Sequence, residues 1–204
     1  MNMEYDLSGL AALDRFTRGN LINSLSGYKP VSLIATCDAS GKTNLAVFSN
    51  IVHLGADPAL VGFVNRPREA APHTLSNIES TGVYTINHIH GDLVQQAHQT
   101  SAKYPEGVSE FETCGFTPEF TRGVPVPYVK ESRVRYRLRL VEVIPIPYNN
   151  TFFVIGAIEH LAFPAAIMAD DGFLELDQAG SQVSLGIDGY AAVGPARRFP
   201  YAKP

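Results

Sequence analysis

Two arginines, Arg66 and Arg68, precede a short predicted helix that begins at Pro72 and carries the hydroxyl of Thr74 in its first turn. The first N–H groups of a helix have no intrahelical partner and lie at the positive end of the helix dipole, so this combination suits an anion such as phosphate. Arginine adds bidentate, charge-assisted hydrogen bonds, and His73 adds a charge when it is protonated. The alternative is a solvated loop, which these residues taken alone favour.

Three histidines, His88, His90 and His98, lie near Asp92, and imidazole and carboxylate groups are suitable metal ligands. Only His88 and His90 are local, and two residues that are two apart share a face only if the strand continues that far. The spacing therefore argues against a metal site. The sequence shows no convincing Ser-His-Asp set or pair of carboxylates, so we assign no nucleophile or general base.

The elements that must position these residues are mostly strands. Residues 31–36 and 43–50 form a predicted hairpin around a turn at 38–42. An N-terminal helix is predicted over 10–25 with Ser8 as its cap. The remaining predictions are strands at 59–64, 82–87, 133–146 and 151–163, short helices in the second half of 66–79 and at 92–103, and an irregular Gly-rich tail over 172–204.

The strand at 133–146 alternates in character, with an apolar face that we extend as far as Glu142. A stripe of alternate arginines on the other face invites a nucleic-acid interpretation. The formal net charge of -4 opposes it, and alternate arginines usually mark a solvated or salt-bridged face. The apolar face comprises Tyr136, Leu138, Leu140 and Glu142, and the other comprises Arg135, Arg137, Arg139 and Val141.

The length of 204 residues and the 45% hydrophobic content predict one domain with a barrel core at about 30–165. Strands in hairpin order indicate an antiparallel sheet that closes on itself, and no G-x-G-x-x-G fingerprint indicates a dinucleotide-binding fold. The charged fraction of 18% is low, which favours a subunit interface.

The N-terminus carries Glu4 and Asp6 where a signal peptide needs positive charge, and no stretch approaches the roughly 20 apolar residues of a membrane span. We therefore expect a cytoplasmic protein with neither a membrane nor a nucleic-acid partner. Cys37 and Cys114 are far apart in sequence and are expected to be ordinary reduced cysteines.

The order of the motifs resembles the flavin reductase-like family of FMN-binding split barrels. Its pattern of a Pro-Val strand, a Gly turn and an Asn-x-Ala-x-x-Ser strand appears here as Pro30-Val31, Gly41 and Asn44-Leu45-Ala46-Val47-Phe48-Ser49. Further matches across roughly 25–195 are Asp57-Pro58, Arg66, Thr74-Leu75-Ser76-Asn77-Ile78, Tyr84-Thr85-Ile86-Asn87 and, more weakly, the Gly-x-x-Tyr element at Leu185-Gly186-Ile187-Asp188-Gly189-Tyr190. One departure is Pro72-His73-Thr74, where many members carry Lys-Asp-Thr, so the usual cation is missing.

The resemblance implies an antiparallel split β-barrel, mainly β with peripheral helices, that binds FMN and forms a homodimer. Ser49 and Asn50 have an alternative as ordinary strand-end residues, Thr36 as an ordinary β-branched strand residue, and Tyr190 as a dimer contact or plain packing. The implied cofactor-binding residues are Asn44, Ala46, Val47, Phe48, Ser49 and Asn50 on the main strand, Arg66, Arg68, His73 and Thr74 around the phosphate, Thr36 toward the ring, and Tyr190 over the flavin.

The implied function is that of an NAD(P)H-dependent flavin reductase or related oxidoreductase. FMN is the expected cofactor, with FAD as an alternative, NADH or NADPH is the reductant, and a partner oxygenase is one acceptor of the reduced flavin. The flavin performs the hydride chemistry itself, which agrees with the lack of a catalytic base. One rival is a non-catalytic flavin carrier, and another is a split barrel that binds heme or a different ligand.

Overall fold

The computed structural model describes residues 2–105 and 107–203. Its helices are α1 (Leu7–Ala12), α2 (Arg15–Leu25), α3 (Pro72–Thr81), α4 (Val94–Gln99) and α5 (Glu110–Thr113). Its strands are β1 (Lys29–Pro30), β2 (Ser32–Cys37), β3 (Thr43–Phe48), β4 (Val52–Ala56), β5 (Ala59–Asn65), β6 (Val83–His88), β7 (Pro118–Glu119), β8 (Tyr128–Val129), β9 (Arg135–Ile146), β10 (Thr151–Ala162), β11 (Gln182–Leu185) and β12 (Gly189–Ala192).

Seven strands form one antiparallel sheet in the order β3-β2-β6-β9-β10-β5-β4. β3 and β4 follow each other in the chain but lie at opposite edges, so the sheet curls until the two edges meet at a corner. The Asn50 side chain fixes this corner, because its Nδ2 donates to Val64 O at 2.9 Å and its Oδ1 accepts from Val64 N at 3.2 Å. The predicted fold, a mainly β antiparallel split barrel with peripheral helices, is confirmed.

Aromatic packing joins the strands around the barrel interior. The Phe63 ring meets the Phe48 and Tyr84 rings edge-on, at centroid separations of 5.0 and 5.7 Å. Burying one such side chain contributes roughly 1.5–3 kcal/mol. The cluster therefore fixes β3, β5 and β6 relative to one another.

Strand β2 is buried along its whole length because both of its faces are covered. Leu33 and Ala35 face a cluster that includes Phe111 of α5, whereas Ile34 faces the barrel interior. Side chains alternate along a strand, so Thr36 lies on the same side as Ile34. This is the side on which α3 packs, and it determines what Thr36 can contact.

The long pair of β9 and β10 contains a β-bulge that changes which residues face inward. Val141 has no partner residue on β10 at this point, so the alternation reverses after it. Val143 packs with Leu140 against the interior and Glu142 is exposed. The extension of the apolar face to Glu142 is therefore wrong.

The arginines of β9 form the predicted salt-bridged face. Arg135 pairs with Glu119, and the Nε atoms of Arg137 and Arg139 lie 3.8 and 3.1 Å from Glu159 oxygens. The two carboxylates offset two of the three positive charges, as expected for a salt-bridged face.

The N-terminal segment is two helices, so the single helix predicted over 10–25 is wrong. The Asp6 side chain caps α1 by accepting from Gly9 N, and Ser8 donates its hydroxyl to Asp6 instead of capping. The Asp14 side chain accepts from the first N–H groups of α2. Two aspartate caps, each worth about 1 kcal/mol, override the continuous apolar spacing.

The tail predicted to be irregular over 172–204 contains an antiparallel hairpin, β11 and β12, which also pairs with β1. The hairpin is attached to the barrel, since Gln182 N donates to Ile89 O at 2.9 Å and His88 Nδ1 lies 3.1 Å from Ser181 Oγ. Gly186 has a φ of 65° in the connecting turn, a conformation that glycine adopts readily. Gly186 thus serves a tight turn, and the prediction of an irregular tail is wrong for the hairpin of β11 and β12.

Other elements also differ from prediction, and β1, α5, β7 and β8 were not predicted. β4 was not predicted, because Gly55 and the Asp57-Pro58 pair interrupt the apolar pattern there. The helix predicted over 92–103 is a 3-10 turn at Gly91–Leu93 followed by α4, which ends at Gln99.

Within residues 2–105 and 107–203, no helix is both long and apolar enough to cross a membrane. Cys37 and Cys114 are buried and carry free thiols. Burial raises the pKa of Cys37 to about 11, so this thiol stays protonated near neutral pH.

Candidate functional site

A cavity of about 530 Å³ lies beside the edge strand β3, within the range of roughly 300–1,000 Å³ typical of small-molecule sites. Two walls flank the strand. The α3 wall is formed by Arg66 and residues 69–74, and the hairpin wall by Ser184, Ile187 and Tyr190 with His98 of α4. The predicted site residues that line the cavity are Asn44, Ala46, Val47, Phe48, Ser49, Asn50, Arg66, His73, Thr74 and Tyr190.

The outer backbone edge of β3 is available to a ligand. β3 pairs with β2 on one side only, and on the other side Leu45 N donates to Glu110 Oε2 at 3.1 Å. The backbone groups of every second residue point the same way, so the N–H and C=O of Val47 also point away from β2. Val47 lines the cavity, so the sheet holds a donor and an acceptor there.

The N-terminal end of α3 faces the same cavity. Pro72 is the first helical residue, and the N-cap residue Ala71 makes no side-chain capping hydrogen bond. Proline has no N–H, so the free donors of the first turn belong to His73 and Thr74. Both residues line the cavity, and this end of the helix can therefore bind an anion.

A buried amide fixes the loop between β5 and α3. Asn65 is fully buried, and its Nδ2 lies 2.8 Å from Arg66 O and 3.5 Å from Ala71 O. The Arg66 side chain is exposed and lines the cavity. The loop thus places the Arg66 side chain on the same cavity as the free N–H groups of α3.

Arg68, which is predicted to contact the cofactor, points away from the cavity. Its Nη1 and Nη2 donate to the two carboxylate oxygens of Glu79 at 2.8 and 2.6 Å, and its guanidinium lies 4.8 Å from the Phe152 ring centroid. The hydrogen bonds from Arg68 to Glu79 raise the pKa of Arg68. The guanidinium is already paired with a carboxylate on α3.

Thr36, which is predicted to approach the ring, lies beneath the cavity. It is fully buried, and its Oγ1 accepts from Asn77 Nδ2 at 3.0 Å and from Asn44 Nδ2 at 3.4 Å. Asn44 Nδ2 also donates to Thr74 Oγ1 at 3.1 Å. Thr36 therefore contacts residues that line the cavity without reaching it.

A long-range contact holds Tyr190 in the hairpin wall. The Tyr190 hydroxyl lies 3.0 Å from His98 Nδ1, and the two rings are T-shaped at 5.7 Å. Burial, with a smaller contribution from Asp188, raises the pKa of Tyr190. The hydroxyl therefore remains protonated and can donate to a neutral His98.

Ser184 carries a buried, unpaired hydroxyl next to the cavity. Its Oγ is buried, lines the cavity and has no hydrogen-bond partner among the described residues. An unsatisfied buried hydroxyl costs about 1–3 kcal/mol, and a ligand or a water molecule would remove this cost.

Several lining residues were missed by sequence reasoning, among them Lys103, Tyr104 and Glu110. They lie about sixty residues beyond β3, in a loop and a four-residue helix with no recognisable motif. The segment reaches β3 through tertiary contacts, including the 2.8 Å hydrogen bond between the Thr43 and Ser109 hydroxyls. Only the polar residues themselves could have suggested a role.

In the part of the chain that the structure describes, no group of three His, Cys, Asp or Glu side chains could hold a metal ion. The candidate histidines have separate partners. His88 contacts Ser181, and His90 Nε2 lies 3.1 Å from Glu131 O.

Comparison with known proteins agrees with this architecture. The family model described as flavin reductase like domain matches residues 27–174. A split barrel domain protein from Shewanella frigidimarina, assigned as a flavin reductase, is 42% identical in sequence and superposes with a TM-score of 0.94 over 98% of this chain and 100% of its own.

Two more distant structures share the fold. Nitrilotriacetate monooxygenase component B from Bacillus cereus is 19% identical, with a TM-score of 0.84 over 98% of this chain and 99% of its own. The FMN-binding protein from Thermus thermophilus is 14% identical, with a TM-score of 0.74 over 98% of this chain and 100% of its own.

The resemblance read from the motifs is thereby confirmed. The fold, the family match and the cavity beside β3 together support a flavin-related function of the oxidoreductase type. The chain belongs to the flavin reductase like domain family.

Proposed function

We propose that the protein binds FMN beside β3 and works as an NAD(P)H-dependent flavin reductase or a closely related oxidoreductase. The observation that carries the proposal is that one cavity combines a free strand edge with the free N-terminal end of a helix. FMN presents matching groups, a flat ring system with polar edges and a dianionic phosphate.

The α3 wall would hold the phosphate. The N–H groups of His73 and Thr74, the Thr74 hydroxyl and the Arg66 guanidinium all suit phosphate oxygens. Pro72 stands where many members of the family carry lysine, but Arg66 and Lys103 both line the cavity. Positive charge is therefore present without that lysine.

The strand edge would hold the ring. The N–H and C=O of Val47 are fixed by the sheet and lose little entropy when a ligand binds, and Ser49 adds a hydroxyl at the strand end. On the hairpin wall, Tyr190 offers an aromatic surface for a stacked ring.

Once bound, FMN supplies the redox chemistry, including acceptance of a hydride from a nicotinamide. The protein must hold the two ring systems together and exclude water. Tyr190, held by His98, limits the room above β3. We assign no general base, which agrees with a reaction in which the protein only positions the two rings.

The test is anaerobic stopped-flow mixing of the FMN-loaded protein with NADH and, separately, NADPH. Bleaching of the visible flavin band with at least one of them is the expected result. Bound flavin that neither nucleotide bleaches contradicts the reductase and leaves a flavin carrier. Failure to bind FMN, FAD and riboflavin contradicts the whole proposal.

A second measurement tests whether reduced flavin leaves the protein to serve a partner oxygenase. NAD(P)H oxidation should continue for many turnovers when free FMN is in excess. A single turnover, limited to the one bound flavin, indicates instead that the reduced flavin stays on the protein, and it contradicts release to a partner oxygenase.

We further propose that the active species is a homodimer. No residue of α1 or α2 is buried, and the exposed fractions of Phe16 and Leu25 are 81% and 71%. A helix of this length is marginal without a packed face, so a second copy is expected to cover it.

Light scattering should show a dimer that Phe16→Lys with Leu25→Lys dissociates and that Tyr201→Lys leaves intact. A wild-type monomer contradicts this.

A further inference from the structure

We propose that Thr36 and Asn77, neither of which lines the cavity, are positioning residues that direct the Thr74 hydroxyl toward a bound phosphate and so help the protein to prefer FMN over riboflavin. This inference rests on the proposed function, because it names what makes the α3 wall selective for a phosphorylated flavin.

A continuous chain of hydrogen bonds links the four side chains. Asn77 lies three residues after Thr74 on α3, so both side chains lie on the face toward β2. Asn77 Nδ2 donates to Thr36 Oγ1 at 3.0 Å, and Asn44 Nδ2 lies 3.4 Å from the same oxygen. Asn44 Nδ2 also donates to Thr74 Oγ1 at 3.1 Å.

The chain is enclosed by protein. The exposed fractions are 0% for Thr36, 4% for Thr74, 7% for Asn44 and 8% for Asn77. Hydrogen bonds are stronger in such surroundings, and a group that loses its partner there is not readily compensated by water. Each side chain therefore restricts the orientation of the next.

The hydrogen bonds of Asn44 and Thr74 determine which group of Thr74 remains free for a ligand. A side-chain amide has two N–H donors, and Asn44 directs its amide nitrogen at the two threonine oxygens. The Thr74 hydroxyl accepts from Asn44, and its own hydrogen has no acceptor among the described residues. Since Thr74 lines the cavity, its hydroxyl is left to donate to a group that only accepts, such as a phosphate oxygen.

Thr36 is the point at which both amides converge. Its oxygen accepts from Asn44 and from Asn77, so it holds the NH₂ group of Asn44 toward Thr74. Without this oxygen, the Asn44 amide is free to rotate and to present its carbonyl to Thr74. The Thr74 hydroxyl would then donate to Asn44 and be lost to the ligand.

The test compares FMN and riboflavin affinities by fluorescence titration. Thr36→Val keeps the side-chain shape and removes the hydroxyl, and it should weaken FMN about tenfold, the equivalent of one hydrogen bond. Riboflavin, which has no phosphate, should change less than about twofold. Thr36→Ser restores the hydroxyl and should restore the affinity for FMN.

A second background separates positioning from general structure. In a Thr74→Val protein the hydroxyl is gone, so adding Thr36→Val should cause no further loss of FMN affinity. Additive losses, or equal weakening of FMN and riboflavin, would overturn the inference. Asn77→Ala should reproduce the FMN-selective loss, and it decides the question if Thr36→Val does not fold.

The wild-type protein distinguishes the two levels of the proposal. If it binds FMN no more tightly than riboflavin, the inference fails while flavin binding stands. If it binds neither flavin, the proposed function itself fails.

Discussion

The two walls of the cavity differ in how they are built. On the α3 wall, Thr74 is linked through Asn44 of β3 to the buried Thr36 by hydrogen bonds inside the barrel. On the hairpin wall, Tyr190 is held by His98, an exposed residue 92 positions earlier in the chain. The wall proposed to hold the phosphate is thus part of the core, whereas the wall that limits the room above β3 is a peripheral addition.

The hairpin wall depends on a few attachments to the barrel. Ser181 contacts His88 on β6, and Gln182 bonds to the backbone of Ile89. The difference suggests that the hairpin can change among related proteins without disturbing the α3 wall. Three variants test this contrast.

The largest effect is expected from the attachment at His88. Burial lowers its pKa to about 4, so the unfolded chain, with a histidine pKa of about 6.5, takes up the proton first. The stability contributed by neutral His88 is complete above about pH 6.5 and falls as the pH drops toward 4, by at most about 3 kcal/mol. Urea unfolding at several pH values measures how the free energy of unfolding falls with pH. In the His88→Asn protein, this pH dependence should disappear.

The exposed His53 on β4 supplies the control. His53→Gln should keep the pH dependence of the wild-type protein. If the His88→Asn protein shows the same pH dependence of stability, other groups cause it. In that case a neutral histidine does not hold the hairpin on the barrel.

The next effect tests the α3 wall through its two arginines. Arg66→Ala should weaken FMN binding by about 2 kcal/mol, roughly thirtyfold, because a charge-assisted hydrogen bond to the phosphate is lost. Arg68→Ala is the matched control, since Arg68 is paired with Glu79 outside the cavity. Equal losses from both variants, measured by flavin fluorescence, would show that general positive charge matters rather than the α3 wall.

The smallest effect is expected from Tyr190→Phe on the hairpin wall. Removing the hydroxyl breaks its hydrogen bond with His98, which contributes about 1 kcal/mol. We expect this loss to appear as a roughly fivefold higher KM for the nicotinamide. FMN affinity should stay the same, and Tyr148→Phe, at an exposed turn, should change neither. A loss of FMN affinity as large as that of Arg66→Ala would contradict the division between the walls.

The sequence predicted the strands around the site well because short motifs with local causes mark them. The hairpin of β2 and β3, the helix entry at Pro72 and ten of the 25 lining residues followed from alternation, turn residues and the order of family motifs. The positions of the Thr36 and Arg68 side chains could not be predicted. The contacts of Thr36 below the cavity and the pairing of Arg68 with Glu79 appear only in the tertiary structure.

The parts that were wrong have physical causes of the same kind. Asp14 divides the N-terminal helix through a cap, and Gly186 makes a hairpin where glycines suggested irregular chain. Lys103 and Glu110 reach the cavity only because their segment packs on β3, and no spacing rule connects residues so far apart in sequence.

The hydrogen bond from Leu45 N to Glu110 also has a consequence for assembly. An uncovered strand edge is a template on which another chain can add a strand, and proteins commonly block such edges with charged groups. Here a carboxylate occupies one N–H and leaves only a short stretch around Val47 exposed. That stretch is long enough for the rim of a planar heterocycle and too short for a peptide, so the same edge can admit a small molecule and resist fibril-like pairing.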